Sequence, residues 1–199
     1  MPSFNIHQEI KDFLSDDIKE LLIICPFISL EGLKSIFSIL ENPKNIKIKI
    51  ITRWRKLDII SGVSDIKIYP FLKKNNISLY HHDSIHLKVF IKEKKHCLFG
   101  SANITLAGIG LSSNPNLEII GKEKINKKKY LEFEKLFNSK LCRVINDDFY
   151  NQMKLIRDEN QDLTRKLLKI KKSHLKKSEW YMWLSDTYNR DDFMKLWSD

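Results

Sequence analysis

No stretch of the 199-residue chain approaches the ~18–20 uninterrupted apolar residues that a membrane-crossing helix needs. Nothing in residues 1–15 resembles the apolar core of a secretory leader, so a cytoplasmic protein without membrane association is expected. Cysteine is scarce. Cys25, Cys97 and Cys142 lie far apart in apolar contexts, without the paired spacing of a zinc site or a disulfide frame, and read as reduced thiols. Alanine is nearly missing: Ala102 and Ala107 are the only two. Isoleucine, lysine and asparagine abound instead, as in AT-rich coding sequence. The formal charge of +10 therefore leans toward a polyanionic partner only as far as its placement supports that. Hydrophobic residues make up 42%, enough for a packed core, which excludes wholesale disorder.

The apolar pattern alternates between two periods. Residues 5–18 place Ile6, Ile10, Phe13 and Leu14 at helical spacing. Residues 21–25 form a short apolar run closed by Pro26, the signature of a buried strand. Ser29 reads as the N-cap of a helix over 30–40, stopped at Asn42-Pro43. Strands are predicted at 46–51, 66–69 and 77–80, with short helices in 52–65 and at 71–74. A hairpin is predicted from 86–91 and 96–99, turning at 92–95. A Gly/Ser/Asn-rich loop covers 100–115, a strand 116–120 and a lysine-rich helix 127–139; the pattern is helical again over 145–172. The expected architecture is α/β, a mixed β-sheet flanked by helices over residues 1–142, with a helical C-terminal extension over 143–199. That extension carries 12 basic and 10 acidic residues, so most of the positive excess sits on the α/β part.

Chemistry concentrates in one segment. His86 and Lys88 are two apart on an expected strand and share a face, while Leu87, Val89 and Ile91 would face the core. Gly100-Ser101 ends the next strand, and Asn103 adds an amide donor. Histidine, lysine, serine and asparagine together suit a phosphate site with a nucleophile or acid–base group inside it. No carboxylate cluster or Cys/His spacing nearby suggests a metal, and no cofactor is expected.

The spacing H-x-K-x4-E-x6-G-S-x-N, read from His86, Lys88, Glu93, Gly100, Ser101 and Asn103, resembles the signature of the phospholipase D superfamily. Glu93 stands where the family has aspartate, a structural turn residue there. Asn116-Leu117-Glu118 is similar to the family's N-x-E. The resemblance implies a metal-independent phosphodiesterase with catalytic His86, Lys88, Ser101, Asn103 and Glu118. His86 would form a phosphohistidine, Lys88 and Asn103 would hold the non-bridging oxygens with help from Ser101, and Glu118 would fix a histidine tautomer. His174-Leu175-Lys176 lacks the rest of the motif. One motif per chain implies a homodimer, because in-line displacement needs a nucleophile and a proton donor on opposite sides of phosphorus.

Residues 44–56 hold Lys44, Lys47, Lys49, Arg53, Arg55 and Lys56 without an acid, and Trp54 sits among the arginines. Arg53, Trp54, Arg55 and Lys56 are the expected nucleic-acid contacts, with charge for the backbone and a ring for an unstacked base. The expected function is an endonuclease, on DNA rather than RNA, of the restriction or phage-defence kind that small members of the family resemble. The alternatives are a phospholipase-type lipid phosphodiesterase and a nucleic-acid-binding module active only within a larger complex. Trp180, Tyr181, Trp183 and Trp197 in the tail suit either a protein partner or a self-packed core.

Overall fold

Asn5 accepts a hydrogen bond from the Gln8 N–H and so caps α1 (Ile6–Leu14), whose Ile6, Ile10, Phe13 and Leu14 form the expected buried stripe. The computed structural model describes residues 5–160, which make one compact unit. In chain order the remaining elements are β1 (Glu20–Ile24), α2 (Leu30–Phe37), β2 (Lys47–Thr52), α3 (Lys56–Ile60), α4 (Ile68–Lys74), β3 (Ser78–His82), β4 (Val89–Lys92), β5 (His96–Gly100), β6 (Ile120–Lys124), α5 (Lys127–Glu134), β7 (Cys142–Val144) and α6 (Asp147–Glu159). Ser29 caps α2 by accepting from the Gly32 N–H, as the sequence predicts.

The strands form one mixed sheet in the order β6-β5-β4-β1-β2-β3-β7. β1, β2 and β3 run parallel, and β4, β5, β6 and β7 pair antiparallel. Central β1 is buried on both faces, which explains its unbroken apolar run. Leu21 and Ile23 enter one core with Ile48 and Ile50 of β2, Phe90 of β4 and Leu98 of β5. Leu22 and Ile24 enter the opposite core with Ile51, Val89, Ile91 and Cys97. α1, α2, α4 and α6 supply residues to the first core, while Tyr130, Phe133, Leu136 and Phe137 cover the second.

Two expectations need correction. The segment predicted as a strand at 66–69 is the start of α4. Ile68, Tyr69 and Leu72 give one buried helical face, and Pro70 falls in the first turn, where a missing N–H breaks no intrahelical bond. The place beside β2 is taken by β3. The boundary expected after 142 also falls inside the unit. β7 covers the outer edge of β3 through Tyr80–Val144, His81–Arg143 and His82–Cys142, and α6 sends Phe149 and Met153 into the main core. The α/β unit therefore runs through Asn160. The rest of the expected extension, with His174, Lys176 and the tail aromatics, lies outside the described residues.

The β4–β5 turn explains Glu93. Glu93 and Lys94 have φ of 53° and 56°, the left-handed region that non-glycine residues seldom adopt. The Glu93 carboxylate accepts from the N–H groups of Glu20 (3.0 Å) and Lys19 (2.7 Å) at the start of β1, which hold it below the usual carboxylate range. Glu93 thus ties the hairpin to the central strand.

Candidate active site

The parallel strands β1 and β2 end at one edge of the sheet, and β4 begins there beside them, since Ile24 pairs with Val89. In open α/β sheets such carboxyl ends are where ligands bind. His86 and Lys88 sit at this edge, but not on a strand: β4 starts only at Val89. Val89 and Ile91 are core residues as expected, whereas Leu87 is 44% exposed because the segment has run past the sheet. The shared side of His86 and Lys88 survives this correction. Lys88 Nζ lies 3.0 Å from His86 Nε2 and also donates to the His86 carbonyl at 3.0 Å.

That contact sets the imidazole. A charged ammonium only donates, so Nε2 is the acceptor and the ring proton resides on Nδ1. Partial burial, then the charges of Lys88 and Arg53, hold His86 below the ordinary histidine value. The ring is thereby kept neutral with its lone pair on Nε2, the form a nucleophile needs. Burial also lowers Lys88, which lies within electrostatic reach of Cys25 and Glu118.

The next motif segment is bound to the first through its backbone. The Gly100 N–H donates to the Lys88 carbonyl at 3.2 Å, and the Ser101 N–H to the Ile119 carbonyl at 3.0 Å. A Cβ on Gly100 would stand 2.1 Å from the Ile119 carbonyl oxygen, so only glycine allows this approach. Ser101 Oγ accepts from the Ile119 N–H at 3.0 Å and donates to Glu118 Oε2. In this arrangement its one proton goes to Glu118. Ser101 positions Glu118. Glu118 is not on the histidine of its own chain; Asn116 Nδ2 donates to its other oxygen at 3.1 Å. The segment 116–119 belongs to no strand, and β6 begins only at Ile120.

Asn103 sits above the end of β1. Cys25 Sγ lies 3.3 Å from the Phe27 carbonyl and 3.7 Å from Asn103 Oδ1, shares its one proton between these acceptors, and receives the Ile104 N–H at 3.4 Å. The Asn103 Nδ2 hydrogens are donors in either case. Burial pushes the Cys25 thiol up to about 11, so it is a neutral prop rather than a second nucleophile. Cys25 was read only as a reduced thiol, and Phe27 was not singled out in the sequence. The Phe27 ring meets His86 edge-on, with centroids 6.5 Å apart, and the Arg53 guanidinium lies 4.8 Å over the same ring. The signal available was position: both follow a buried strand directly.

The expected nucleic-acid residues divide. Trp54 is 1% exposed and stacks on Phe149 at 6.4 Å, so it cannot receive an unstacked base. Arg53 is mostly buried and pairs with Asp58 through Nε (2.7 Å) and Nη2 (3.1 Å). The acid-free run simply ended two residues before its acid. Arg55 and Lys56 are exposed at the edge that carries the site. Lys44 and Lys47 lie at the other end of β2, and Lys49 covers Phe137 at 4.9 Å. His81 is a buried structural group. Its Nδ1 accepts from the Trp54 N–H at 2.8 Å and its Nε2 bonds Asp83 at 2.8 Å. Among the described residues no group of three or more His, Cys, Asp or Glu side chains is arranged to hold a metal. None of the described helices is long and apolar enough to cross a membrane.

The sheet order and the edge that carries this site define a known class of fold. The chain resembles a phospholipase D family member, Nuc from Salmonella typhimurium, with 16% identity and a TM-score of 0.53 over 70% of this chain and 90% of that one. It also resembles a phosphatidylserine synthase from Haemophilus influenzae, with 16% identity and a TM-score of 0.56 over 87% of this chain and 44% of that one. No family model matches the sequence, and no curated protein matches it. The fold is that of the phospholipase D family, a mixed sheet flanked by helices.

Proposed function

We propose that this protein is a phosphodiesterase of phospholipase D type that cleaves nucleic acid, DNA in preference to RNA, in a homodimeric site. The observation that carries the reading is the His86 Nε2–Lys88 Nζ contact at 3.0 Å, at the sheet edge shared with Asn103 and Glu118. In the first step His86 Nε2 attacks phosphorus and the bond to the leaving oxygen breaks. The His86 of a second copy, entering this step as the imidazolium, gives that oxygen its proton and is left neutral. The same second imidazole then takes a proton from water, whose oxygen displaces the first His86 and completes hydrolysis. Lys88 and the Asn103 amide stabilise the charge on the non-bridging oxygens.

Exposed Arg55 and Lys56 support the nucleic-acid reading, since they lie at the site edge and suit phosphates along a strand. The exposed Leu87, Leu117 and Ile119 flank the motif segments, and in this reading a second copy covers them. The same residues favour a second reading, a lipid phosphodiesterase that meets a membrane surface there. The test is cleavage in excess EDTA, with plasmid DNA and phosphatidylcholine vesicles offered in parallel, on protein whose mass is fixed by sedimentation. The proposal expects DNA cleavage by a dimer that chelation does not stop. Hydrolysis of lipid alone would establish the second reading, and activity restored only by magnesium would overturn both.

The charge placement makes a separate prediction. Arg55→Ala and Lys56→Ala should each lower the slope of log affinity against log salt by about one for DNA. A filter-binding series from low to high salt checks this, and unchanged slopes in both variants would move the DNA surface elsewhere.

A further inference from the structure

Arg53 occupies an unusual position for a basic residue in a presumed DNA-binding run. Its guanidinium is clamped by Asp58, and its Cζ lies 4.8 Å from the centroid of the Phe27 ring, over its face. Phe27 in turn presents its edge to the His86 imidazole, at 6.5 Å and an interplanar angle of 81°. The backbone fixes both ends of this stack. The Arg53 N–H donates to the Pro26 carbonyl at 3.2 Å, and Ser64 Oγ donates to the Arg53 carbonyl at 2.7 Å. The Thr52 hydroxyl also donates to the Pro26 carbonyl, at 3.0 Å, tying the end of β2 to the segment that carries Phe27.

We propose that Arg53, held by Asp58 and laid across Phe27, is a positioning residue for His86, ordering the aromatic wall beside the imidazole and maintaining a fixed positive charge there. This inference rests on His86 being the reactive group proposed above, although its first readout needs no activity. The charged and titratable groups around His86 are Lys88 on its own segment, Arg53 and Asp58 after β2, Cys25 at the end of β1 and Glu118 before β6. Of these, Lys88 and Arg53 disfavour the imidazolium. Lys88 is the partner that a bound phosphate would draw away from Nε2. Arg53 is tied to Asp58 and stays in place. Beside partial burial, a neutral nucleophile at the start of a turnover is therefore favoured by a cation that does not itself bind the substrate.

The stack also separates two properties that a single lysine could not supply together. An ammonium has no plane to lie on the ring and no fork for the Asp58 carboxylate. Arg53→Lys should keep the charge and loosen the wall, whereas Arg53→Met should keep neither. A lone Arg53→Met leaves the mostly buried Asp58 without its cation, which costs stability. The paired replacement Arg53→Met with Asp58→Leu removes both charges together and avoids that penalty.

The test is an NMR titration of the histidine rings in the full chain, with the His86 signal assigned by its loss in His86→Gln. In the native protein His86 titrates below the ordinary histidine value. In Arg53→Met, and in the Arg53→Met/Asp58→Leu pair, its midpoint moves upward; in Arg53→Lys it stays near native. The acidic limb of kcat/KM on bis(p-nitrophenyl) phosphate moves upward in step, while Arg53→Lys keeps the limb and lowers kcat. An unmoved His86 midpoint in a folded Arg53→Met or paired variant would overturn the proposal. Native protein that cleaves no phosphodiester, yet shows the Arg53-dependent midpoint, would sink the proposed function and leave this role standing.

Discussion

His86→Ala lowers phosphodiester cleavage by more than about 10⁴-fold, the order seen when a covalent nucleophile is removed from an enzyme that acts through it. The expectation follows from the contact with Lys88. Nε2 is the one atom at this edge with an available lone pair, a proton-free state set by a neighbour, and partial exposure to solvent. Cys25, the other nucleophilic side chain within reach, is buried and protonated at neutral pH. Lys88→Met and Asn103→Ala should lose less, about 10²–10³-fold each, because each removes one stabilising donor. Rapid quench into alkaline denaturant with a phosphorus-labelled substrate gives a second check. Native protein should retain acid-labile, alkali-stable phosphate, and His86→Ala none. A His86→Ala rate within tenfold of native would end the mechanism.

Trp54→Ala costs about 3–5 kcal/mol of folding stability. The indole is 1% exposed and stacks on Phe149 of α6, and the Trp54 backbone N–H donates to His81 Nδ1. Truncation opens a void between the sheet and the helix that covers it. Trp54→Phe should cost much less, since the Trp54 Nε1–H has no hydrogen-bond partner to lose. Urea unfolding of the three proteins measures the difference. Affinity for single-stranded DNA, measured below the unfolding range, should be the same in Trp54→Phe as in the native chain. Stability unchanged in Trp54→Ala, together with weaker DNA binding, would return Trp54 to the binding surface.

Trp54 also shows where the sequence reading reached its limit. A tryptophan between two arginines looks solvent-facing by composition. Its fate is decided by α6, nearly a hundred residues later, which supplies Phe149 as its ceiling. Arg53 was misjudged for the converse reason: Asp58 lies just beyond the run that was read, one turn into α3. By contrast His86, Lys88, Gly100 and Asn103 were legible because their chemistry is tied to fixed offsets. The buried strand at 21–25 was legible because two-sided burial leaves an unbroken apolar run. The strand expected at 66–69 failed because four alternating residues fit a helix face equally well. The bond from the Ser101 hydroxyl to Glu118 was not legible in the sequence. No spacing rule states where a hydroxyl hydrogen goes.

The sheet order bears on when such a reactive group comes into being during synthesis. β1 lies between β4 and β2, so its hydrogen bonds to β4 close a loop of some seventy residues. A nascent chain that has left the ribosome through Lys88 already carries the imidazole and the ammonium. It has neither the hairpin partner β5, nor Asn103, nor the carboxylate of Glu118, and α6 has yet to roof Trp54. Each of those pieces arrives later, and all but the β5 hairpin must make contacts distant in sequence before the site has its shape. The ordering entropy of those closures makes a half-finished chain a poor catalyst. Translation through Asn160 is thus a built-in delay between making the nucleophile and arming it.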